Sequence, residues 1–383
     1  MKFEGSSAIS KGLGNALETV AEVGSLPLIR GQWYFVNPTG GADTADGRTI
    51  DSSLAGIAAA YAKAADGDGI ALLSYGATSA ATSSYLTQEL VWAKNGITVV
   101  GVGAPVAMFG RARVANKTIV STVAMTAVAD TSLTRSTGSF ITDGWAVGMK
   151  FITNVDAAAL TVATVSATVI TITSGTLTVG AHTAVTSVMP TLLTVSGANN
   201  RFYNVHFYNG GTNALEINGV VVSGDRNYFG GCHIVGGAGA ATSADNDSLT
   251  LSGSENTFKD CVIGSNTFAQ GDNAAAEIVL SGAVKRNKFI DCEIVGMVSA
   301  GTAHGAVKSV ATSGGAGTVF KNCLFNYALS GTTPDAAHLV DGASDEIILF
   351  NCAACQVTAW GTSVYANMVA PAAAAGGGLM TTA

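Results

Sequence analysis

A motif of one phenylalanine, two further residues and a cysteine recurs through the second half of the chain. Its copies read Phe229-Gly-Gly-Cys232-His-Ile234, Phe258-Lys-Asp-Cys261-Val-Ile263, Phe289-Ile-Asp-Cys292-Glu-Ile294 and Phe320-Lys-Asn-Cys323-Leu-Phe325. An earlier copy at Phe202 has Val205 in place of the cysteine, and a weaker one reads Leu349-Phe-Asn-Cys352. From Phe202 to Leu349 the intervals are 27, 29, 31, 31 and 29 residues. A period of roughly 20–50 residues indicates structural units stacked along one axis.

The apolar residues within each copy alternate with other residues, as in the pairs Cys261/Ile263 and Leu249/Leu251. A period of two is typical of strands that bury one face. Each copy therefore predicts two or three short strands that together form one coil of a parallel β-helix. Ser-Gly pairs mark one corner of the coil, where a residue without Cβ fits with least strain. These pairs are Ser196-Gly197, Ser223-Gly224, Ser252-Gly253, Ser281-Gly282 and Ser313-Gly314.

The cysteines are predicted to lie in the core. Equivalent residues of successive coils stack about 4.8 Å apart, and cysteine is a small apolar residue that is often buried. One inward column should contain the cysteines and a second the phenylalanines. Their members are Val205, Cys232, Cys261, Cys292, Cys323 and Cys352, and Phe202, Phe229, Phe258, Phe289 and Phe320.

Two other interpretations of the cysteines are weaker. Stacked Cβ atoms lie farther apart than the ~3.8 Å that a disulfide prefers. Zinc is disfavoured because Cys352 and Cys355 form the only C-x2-C pair and no second ligand pair accompanies them. Reduced thiols in the core fit a chain that folds in a reducing cytoplasm.

Composition restricts the function further. Charged residues make up 12% of the chain and mean hydropathy is +0.37, yet no run of about 18 apolar residues suggests a membrane span. Net charge is −7 and no basic stripe is apparent, which argues against nucleic-acid binding. The N-terminus lacks the apolar segment of a signal peptide. So weakly charged a surface suits a protein covered by copies of itself or by a larger assembly.

A short helix is predicted at the start of the repeats. Ser52 or Ser53 would cap it, and its apolar face would carry Leu54, Ile57, Ala58, Tyr61 and Ala65. Before it stands Asn37-Pro-Thr-Gly-Gly-Ala-Asp43, and after it come Gly67-Asp-Gly-Ile70 and Gly96-Ile-Thr-Val-Val-Gly101.

This order resembles the start of right-handed parallel β-helix proteins of the pectate-lyase-like superfold, including virion proteins of tailed bacteriophages. The resemblance covers residues of about 32–105 and 190–360. It implies an all-β, right-handed, single-stranded parallel β-helix whose N-terminal helix caps the open core. It implies little about activity, because the superfold includes lyases, hydrolases and non-enzymatic virion proteins.

A different pattern interrupts the repeats. Several short alternating strands with glycine turns predict a small inserted β-barrel or sandwich, and Phe140-Ile-Thr-Asp-Gly-Trp-Ala-Val-Gly-Met149 resembles small β-modules of tailed-phage virion proteins. The Ala/Gly-rich end of the chain is of low complexity. The predicted segments are an N-terminal arm at 1–31, with a helix near Leu13–Val23, the β-helix start with its capping helix at 32–114, the inserted domain at 115–188, the β-helix coils at 189–362 and a tail at 363–383.

Asp260 and Asp291 are the first candidates for chemistry. They occupy one position in adjacent coils, and a separation of about 5 Å would match a retaining glycosidase. However, the same position elsewhere carries Asn204, Gly231, Asn322 and Asn351. That set is typical of a turn column chosen for local backbone bonding, which is the favoured interpretation.

Histidines and the remaining acids form no complete site. His206 and His233 share one outward position and are predicted to stack on the surface, without the further ligands of a metal site. Asp245 and Asp247 lack the other oxygen ligands of a calcium loop. The sequence therefore assigns no catalytic, cofactor-binding or metal-binding residue, and no cofactor.

Taken together, these patterns favour a tailed-phage virion protein that is not an enzyme. We expect it to decorate or cement the capsid as a homotrimer, against the major capsid protein or other virion proteins, after assembly in the host bacterial cytoplasm. The alternative is a tail spike or fibre that binds or depolymerises host surface polysaccharide. That alternative predicts a groove of aromatic residues and two or three acids near Ser74–Leu86 or Gly237–Asp247. An extracellular carbohydrate-active enzyme is disfavoured by the missing signal peptide.

Overall fold

The structure is a computed structural model, and it describes the following parts of the chain: residues 29–73, 83–102, 111–211, 213–237, 246–265, 267–268, 276–282, 284–297, 304–310, 317–327, 340–341, 347–355 and 364–365. Within them the chain is an all-β right-handed parallel β-helix, as the sequence predicted. The predicted helix at Leu13–Val23 and nearly all of the predicted tail lie outside the described residues. No helix in the described parts is long and apolar enough to cross a membrane.

Three parallel sheets form the walls of the β-helix, and a typical coil passes through sheets C, A and B in that order. Sheet A contains β1 (Trp33–Val36), β2 (Gly69–Leu72), β5 (Thr98–Gly101), β16 (Arg201–Tyr203), β19 (Tyr228–Gly230), β22 (Thr257–Lys259), β25 (Lys288–Ile290), β28 (Thr318–Lys321), β31 (Ile347–Phe350) and β33 (Val364–Tyr365). Sheet B contains β3 (Ser84–Leu86), β6 (Ala112–Asn116), β17 (Val205–Tyr208), β20 (His233–Val235), β23 (Val262–Gly264), β26 (Glu293–Val295), β29 (Leu324–Asn326) and β32 (Ala353–Cys355). Sheet C contains β4 (Leu90–Trp92), β15 (Thr191–Val195), β18 (Asn218–Val222), β21 (Leu249–Leu251), β24 (Ala276–Leu280), β27 (Gly305–Ser309) and β30 (Val340–Asp341).

Both predicted inward columns are confirmed. The phenylalanines pair in register from Phe202 to Phe320, and their rings stack with centroids 4.4–4.8 Å apart. Cys232, Cys261 and the three cysteines above them are free thiols, at most 2% exposed. Each donates to the carbonyl oxygen of a phenylalanine in the preceding coil, at 3.3–3.5 Å. The thiols thus fill the core and satisfy a backbone acceptor.

The corner between sheets C and A explains the Ser-Gly pairs. A Cβ added at Gly197, Gly224 or Gly253 would lie 2.0–2.1 Å from a carbonyl oxygen of the preceding coil. Three residues after each of these glycines stands a fully buried asparagine, namely Asn200, Asn227 and Asn256, and Asn287 continues the same column. This asparagine column was not among the columns predicted from the sequence.

The capping helix α1 spans Ile57–Lys63 and buries Ile57 and Ala60 against the first coil. The prediction that Ser52 or Ser53 caps it was wrong, because the N-cap is Gly56, which has no side-chain hydrogen bond to offer. Asp43 instead accepts from the N–H groups of residues 55 and 56 through Oδ1, at 2.9 Å each. Ser84 Oγ accepts from the Ile57 N–H at 2.9 Å, so a strand of sheet B satisfies the helix start.

A separate antiparallel sheet stands between β6 and β15. Its strands are β7 (Val120–Ser121), β8 (Met125–Ala129), β9 (Ser132–Arg135), β10 (Lys150–Thr153), β11 (Leu160–Val165), β12 (Val169–Ser174), β13 (Gly180–His182) and β14 (Val185–Val188), with the short helix α2 (Phe140–Asp143). The sheet has its own core, in which the Trp145 ring lies edge-on to Phe140 and Phe151. Gly144 ends α2 with a φ of 100°, a conformation that favours glycine and turns Trp145 into that core.

Candidate functional site: the outer face of sheet A

The outer face of sheet A carries a row of cations beside two tyrosines. Along β16, β19, β22, β25 and β28 the phenylalanine points inward, so the residues flanking it point outward. Four of these strands present an exposed lysine or arginine, and no outward position on the five strands carries a carboxylate. We call this surface the sheet A face and define it by Arg201, Tyr203, Tyr228, Lys259, Lys288 and Lys321.

The row corrects the sequence analysis, which found no basic stripe. Lys259, Lys288 and Lys321 lie about 30 residues apart in the chain but on neighbouring strands, at about 4.8 Å per strand. Since their side chains share one face, their positive potentials add over that face despite the net charge of −7. The signal could have been found by aligning the copies on their phenylalanines and comparing the flanking residues.

Tyr203 and Tyr228 form an aromatic platform at one end of the row. Their ring centroids are 5.4 Å apart with an interplanar angle of 42°, and both side chains are half-buried. Burial raises the pKa of Tyr203, and burial together with the Tyr203 phenol raises the pKa of Tyr228 to about 12. Both phenols therefore stay protonated at neutral pH, so the platform combines apolar ring surface with hydrogen-bond donors.

Gly230 makes room for this platform. A Cβ at this position would lie 2.7 Å from the Tyr228 ring and 3.2 Å from the Tyr203 ring. Its neighbour Gly231 has a φ of 61°, and a Cβ there would meet nothing within 4 Å. The two glycines leave a notch beside the rings, where the next coil presents Lys259 and Asp260.

The two borders of the face differ in charge. At the corner towards sheet C, Glu255 pairs with Arg286 and lies 3.9 Å from Arg226, so these charges largely compensate one another. At the corner towards sheet B stand Asp260 and Asp291, which are exposed, and Asp260 lies 3.9 Å from Lys259 Nζ. Lys259 thus has a carboxylate beside it, whereas Lys288 and Lys321 form no salt bridge with the residues that the structure describes.

The structure favours the turn-column interpretation of Asp260 and Asp291. Their φ angles are 53° and 54°, the same left-handed conformation as at Asn204, Asn322 and Asn351. Asp291 Oδ1 accepts from Asn322 Nδ2 at 3.0 Å. Asn and Asp tolerate this conformation better than most residues. The left-handed turn therefore explains why Asn or Asp recurs at this position in successive coils.

His206 and His233 stack as predicted, with ring centroids 4.4 Å apart and an interplanar angle of 14°. The prediction of a surface pair was wrong for His233, which is 3% exposed. Its Nε2 donates to the Gly264 carbonyl at 3.0 Å. The guanidinium of Arg113 lies beside the pair, 4.2 Å over the Tyr208 ring. Burial lowers the pKa of both imidazoles, that of His233 to about 4.

Other predicted candidates do not assemble into a site. Asp247 is buried and accepts from Thr250 Oγ1 at 3.2 Å, whereas Asp245 lies outside the described residues, as do most residues of the two loops expected to line a groove. Cys355 is exposed and Cys352 buried, and both are free. Where the chain is described, no three His, Cys, Asp or Glu side chains are grouped so that they could hold a metal ion.

One polar cluster at the corner between sheets B and C was not anticipated. Glu277 accepts from Ser248 Oγ at 2.6 Å and lies 3.3 Å from His304 Nε2, and all three residues are buried. The nearby Tyr327 is fully buried, and burial and the Glu277 charge raise its phenol pKa well above the usual value. Because none of these side chains reaches solvent, the cluster is a structural crosslink between coils in this conformation.

Comparison with known proteins gives structural neighbours only. No family model and no curated protein matches the sequence. Among solved structures, the pectin methylesterase PemA from Erwinia chrysanthemi is similar at 13% identity and a TM-score of 0.44, over 89% of this chain and 81% of that one. Pectate lyase Pel9A is similar at 13% identity and 0.38, over 92% and 83%. A tailspike protein from Pseudomonas phage LKA1 is similar at 11% identity and 0.25, over 80% and 65%.

These likenesses concern the fold alone, a parallel β-helix of the pectate-lyase-like kind. They contradict the prediction that the chain is not an enzyme, because the similar structures include an esterase and a lyase, which are enzymes. The absence of a recognisable motif was the basis of that prediction. In a β-helix, catalytic side chains from separate coils meet only through stacking, so a linear motif is a poor guide.

Proposed function

We propose that this protein binds an acidic polysaccharide along the sheet A face, in the manner of a phage tail spike or fibre. The observation that carries the proposal is the tyrosine platform of Tyr203 and Tyr228 at the end of a row of exposed cations without an outward-facing carboxylate. An extended polysaccharide lying parallel to the axis of the β-helix would cross one strand of sheet A about every 4.8 Å.

The chemistry of the face suits such a ligand. Tyrosine rings offer apolar area to the C–H faces of sugars and their hydroxyls offer hydrogen bonds. Lysine ammonium groups at Lys259, Lys288 and Lys321 attract carboxylates as mobile point charges. This arrangement differs from the acid-lined groove expected of the tail-spike alternative, and it shifts the expected substrate towards polyanions.

Binding is tested with polygalacturonate as the acidic probe and dextran as the neutral one. The variant Lys259→Gln/Lys288→Gln should weaken polygalacturonate binding roughly five- to tenfold, since each exposed charge contact contributes up to ~1 kcal/mol. Its residual binding should also depend less on salt. Lys150→Gln, which removes an exposed lysine from the antiparallel sheet, is the matched control and should bind like the parent.

Two results would overturn the proposal: equal binding of dextran and polygalacturonate, or unchanged affinity in the double variant. Tyr228→Ala separates aromatic from charge contributions and should weaken binding without changing the salt dependence. New reducing ends released during the same incubations would show that the bound polysaccharide is also cleaved.

Attachment to a virion shell is a second candidate, and the antiparallel sheet favours it. Val128 is 76% exposed and Val179 62%, and each is the next residue beyond the paired Ala127 and Gly180 of β8 and β13. Ile141 and Val147 add further exposed apolar area on the same unit. Co-sedimentation with capsid shells, compared between the parent and Val128→Ser/Val179→Ser, tests this placement; equal co-sedimentation of the two would exclude these valines as the contact.

A further inference from the structure

We propose that the sheet A face continues to Phe350 on β31, where a second aromatic subsite lies, and that the two subsites select acidic oligosaccharides by length; this rests on the polysaccharide binding proposed above. The first subsite is the tyrosine platform of Tyr203 and Tyr228. Both subsites lie on one run of six hydrogen-bonded strands of sheet A, from β16 to β31.

One outward column connects the two subsites. On each strand it contains the residue that follows the inward phenylalanine or leucine, and these residues pair in register from strand to strand. In strand order they are Tyr203, Gly230, Lys259, Ile290, Lys321 and Phe350. Phe350 points outward because its neighbour Leu349 is fully buried in the core. The column therefore has an aromatic ring at each end and two lysines between them.

The surface around Phe350 is apolar. Phe350 is 48% exposed, and the outward residues Ile290, Val319 and Ile348 on the three neighbouring strands β25, β28 and β31 are half-buried. A single exposed apolar side chain needs no explanation, but a contiguous apolar strip at the end of a charged row indicates a binding surface. Such a strip offers packing area to the C–H faces of sugar rings, as the tyrosine rings do at the other end.

Positive charge accompanies the aromatic ring at both ends. Lys321 Nζ lies 5.9 Å from the centroid of the Phe350 ring, close to the limit of about 6 Å for a cation–π contact. At the other end Arg201 and Tyr203 stand on the same strand, β16, on either side of the inward Phe202. A uronate whose ring packs on either aromatic subsite thus finds a cation for its carboxylate nearby.

The separation of the subsites sets the length of the ligand. Tyr203 and Phe350 are five strand steps apart, which corresponds to roughly 24 Å. Since a sugar residue of an extended polysaccharide is roughly as long as one strand step, about six residues reach from one subsite to the other. A much shorter oligosaccharide occupies one subsite at a time. When one chain engages both, the second contact forms intramolecularly and the affinity rises.

Calorimetric titration of the whole protein with trigalacturonate and heptagalacturonate, at one ionic strength, tests the second subsite. Phe350→Ala should weaken heptagalacturonate binding roughly three- to tenfold, the range expected for one aromatic contact. It should change trigalacturonate binding by less than about twofold, because the trimer still binds at the tyrosine platform. Phe350→Tyr keeps the ring and should bind both like the parent. Val91→Ala, which truncates a 50% exposed side chain on sheet C, is the matched control and should bind like the parent as well.

The outcomes separate the second subsite from polysaccharide binding as such. If Lys259→Gln/Lys288→Gln weakens heptagalacturonate binding but Phe350→Ala does not, the sheet A face binds polysaccharide and the second subsite is overturned. Equal losses for the two oligosaccharides in Phe350→Ala overturn the selection by length. Absence of binding to the parent overturns both proposals. If the parent sediments as a dimer and Phe350→Ala as a monomer, a second copy of the chain covers the ring, and the subsite is likewise overturned.

Discussion

The side-chain Oδ1 of Asn227 accepts a hydrogen bond of 2.8 Å from the backbone N–H of Asn200, which lies one coil earlier. The same bond recurs from Asn227 N–H to Asn256 and from Asn256 N–H to Asn287, each at 2.8 Å. Asn227 Nδ2 also donates to the Gly197 carbonyl at 3.0 Å. The column thus satisfies backbone groups that turn at a corner and have no strand partner.

Replacing Asn227 by Ala should destabilise the β-helix by about 2–4 kcal/mol. The substitution leaves the buried Asn200 N–H and Gly197 carbonyl unpaired, and each unpaired buried group costs about 1–3 kcal/mol. Urea unfolding of the parent and the variant measures the difference. Ser252→Ala, an exposed change at the same corner, is the control and should stay within about 0.5 kcal/mol. If Asn227→Ala lost no more stability than the control, Asn227 would not be needed to satisfy these backbone groups.

The asparagine column shows how far the sequence could predict the fold. The phenylalanine and cysteine columns were predictable because apolar residues at a constant repeat imply a stacked, buried wall. An asparagine also stands two residues before Phe202, Phe229, Phe258 and Phe289, so the signal was present. It was not recognised, because asparagine in a turn is ordinarily exposed, and only the corner geometry shows that it is buried.

Two glycines of the same Ser-Gly motif should respond differently to substitution. At Gly224 a Cβ would lie 2.0 Å from the Gly197 carbonyl oxygen, which is part of the neighbouring coil and cannot move alone. Gly224→Ala should therefore cost more than about 3 kcal/mol or prevent folding. At Gly282 nothing lies within 4 Å, but φ is 80°, so Gly282→Asn should cost about 1 kcal/mol or less.

Thermal and urea unfolding of the two glycine variants provide the measurement. Similar losses of stability in both would mean that close approach of the coils is not what selects glycine at Gly224. The comparison is informative because the local sequence, Ser followed by Gly, is the same at both positions.

Thiol reactivity should separate the cysteines by position. Cys355 is exposed, whereas the other five are buried in the core column. Burial also raises the pKa of the Cys261 thiol, which suppresses the reactive thiolate. In the folded protein we expect one thiol per chain to react quickly with an alkylating reagent and six to react after denaturation. Mass spectrometry should assign the fast site to Cys355, and rapid labelling of any column cysteine would contradict the packed core.

The candidate binding faces were less predictable than the core. Lys259 follows the phenylalanine of its copy and Lys288 precedes that of the next, so the two are linked only when the copies are aligned on their phenylalanines. The register between β22 and β25 then places them on the same face. The burial of His233 was equally inaccessible, because its position is outward in the strand alternation. Alternation predicts which way a side chain points, whereas burial depends on what packs over it.

Stability should fall between about pH 6.5 and pH 4 because of the histidine pair. In the folded protein the pKa of His233 is lowered from 6.5 to about 4, chiefly by burial, and that of His206 is lowered as well. Within this window the unfolded chain therefore binds more protons than the folded chain, and the free energy of unfolding drops as the pH decreases. His233 alone should account for about 3 kcal/mol, at 1.36 kcal/mol per unit of pKa difference. Acidic groups with lowered pKa values, such as Asp143 and Asp156, reduce the stability only near and below pH 3.8, the usual pKa of an aspartate.

His233→Val is a suitable variant for this measurement, since Val262 occupies the equivalent position one coil later. Urea unfolding in steps of pH from 7 to 4, in chloride without phosphate, should give a shallower pH dependence for the variant than for the parent. The difference in slope isolates the histidine contribution from carboxylates, which both proteins share. Parallel slopes across the window would mean that folding does not lower the pKa of His233, which would contradict this prediction.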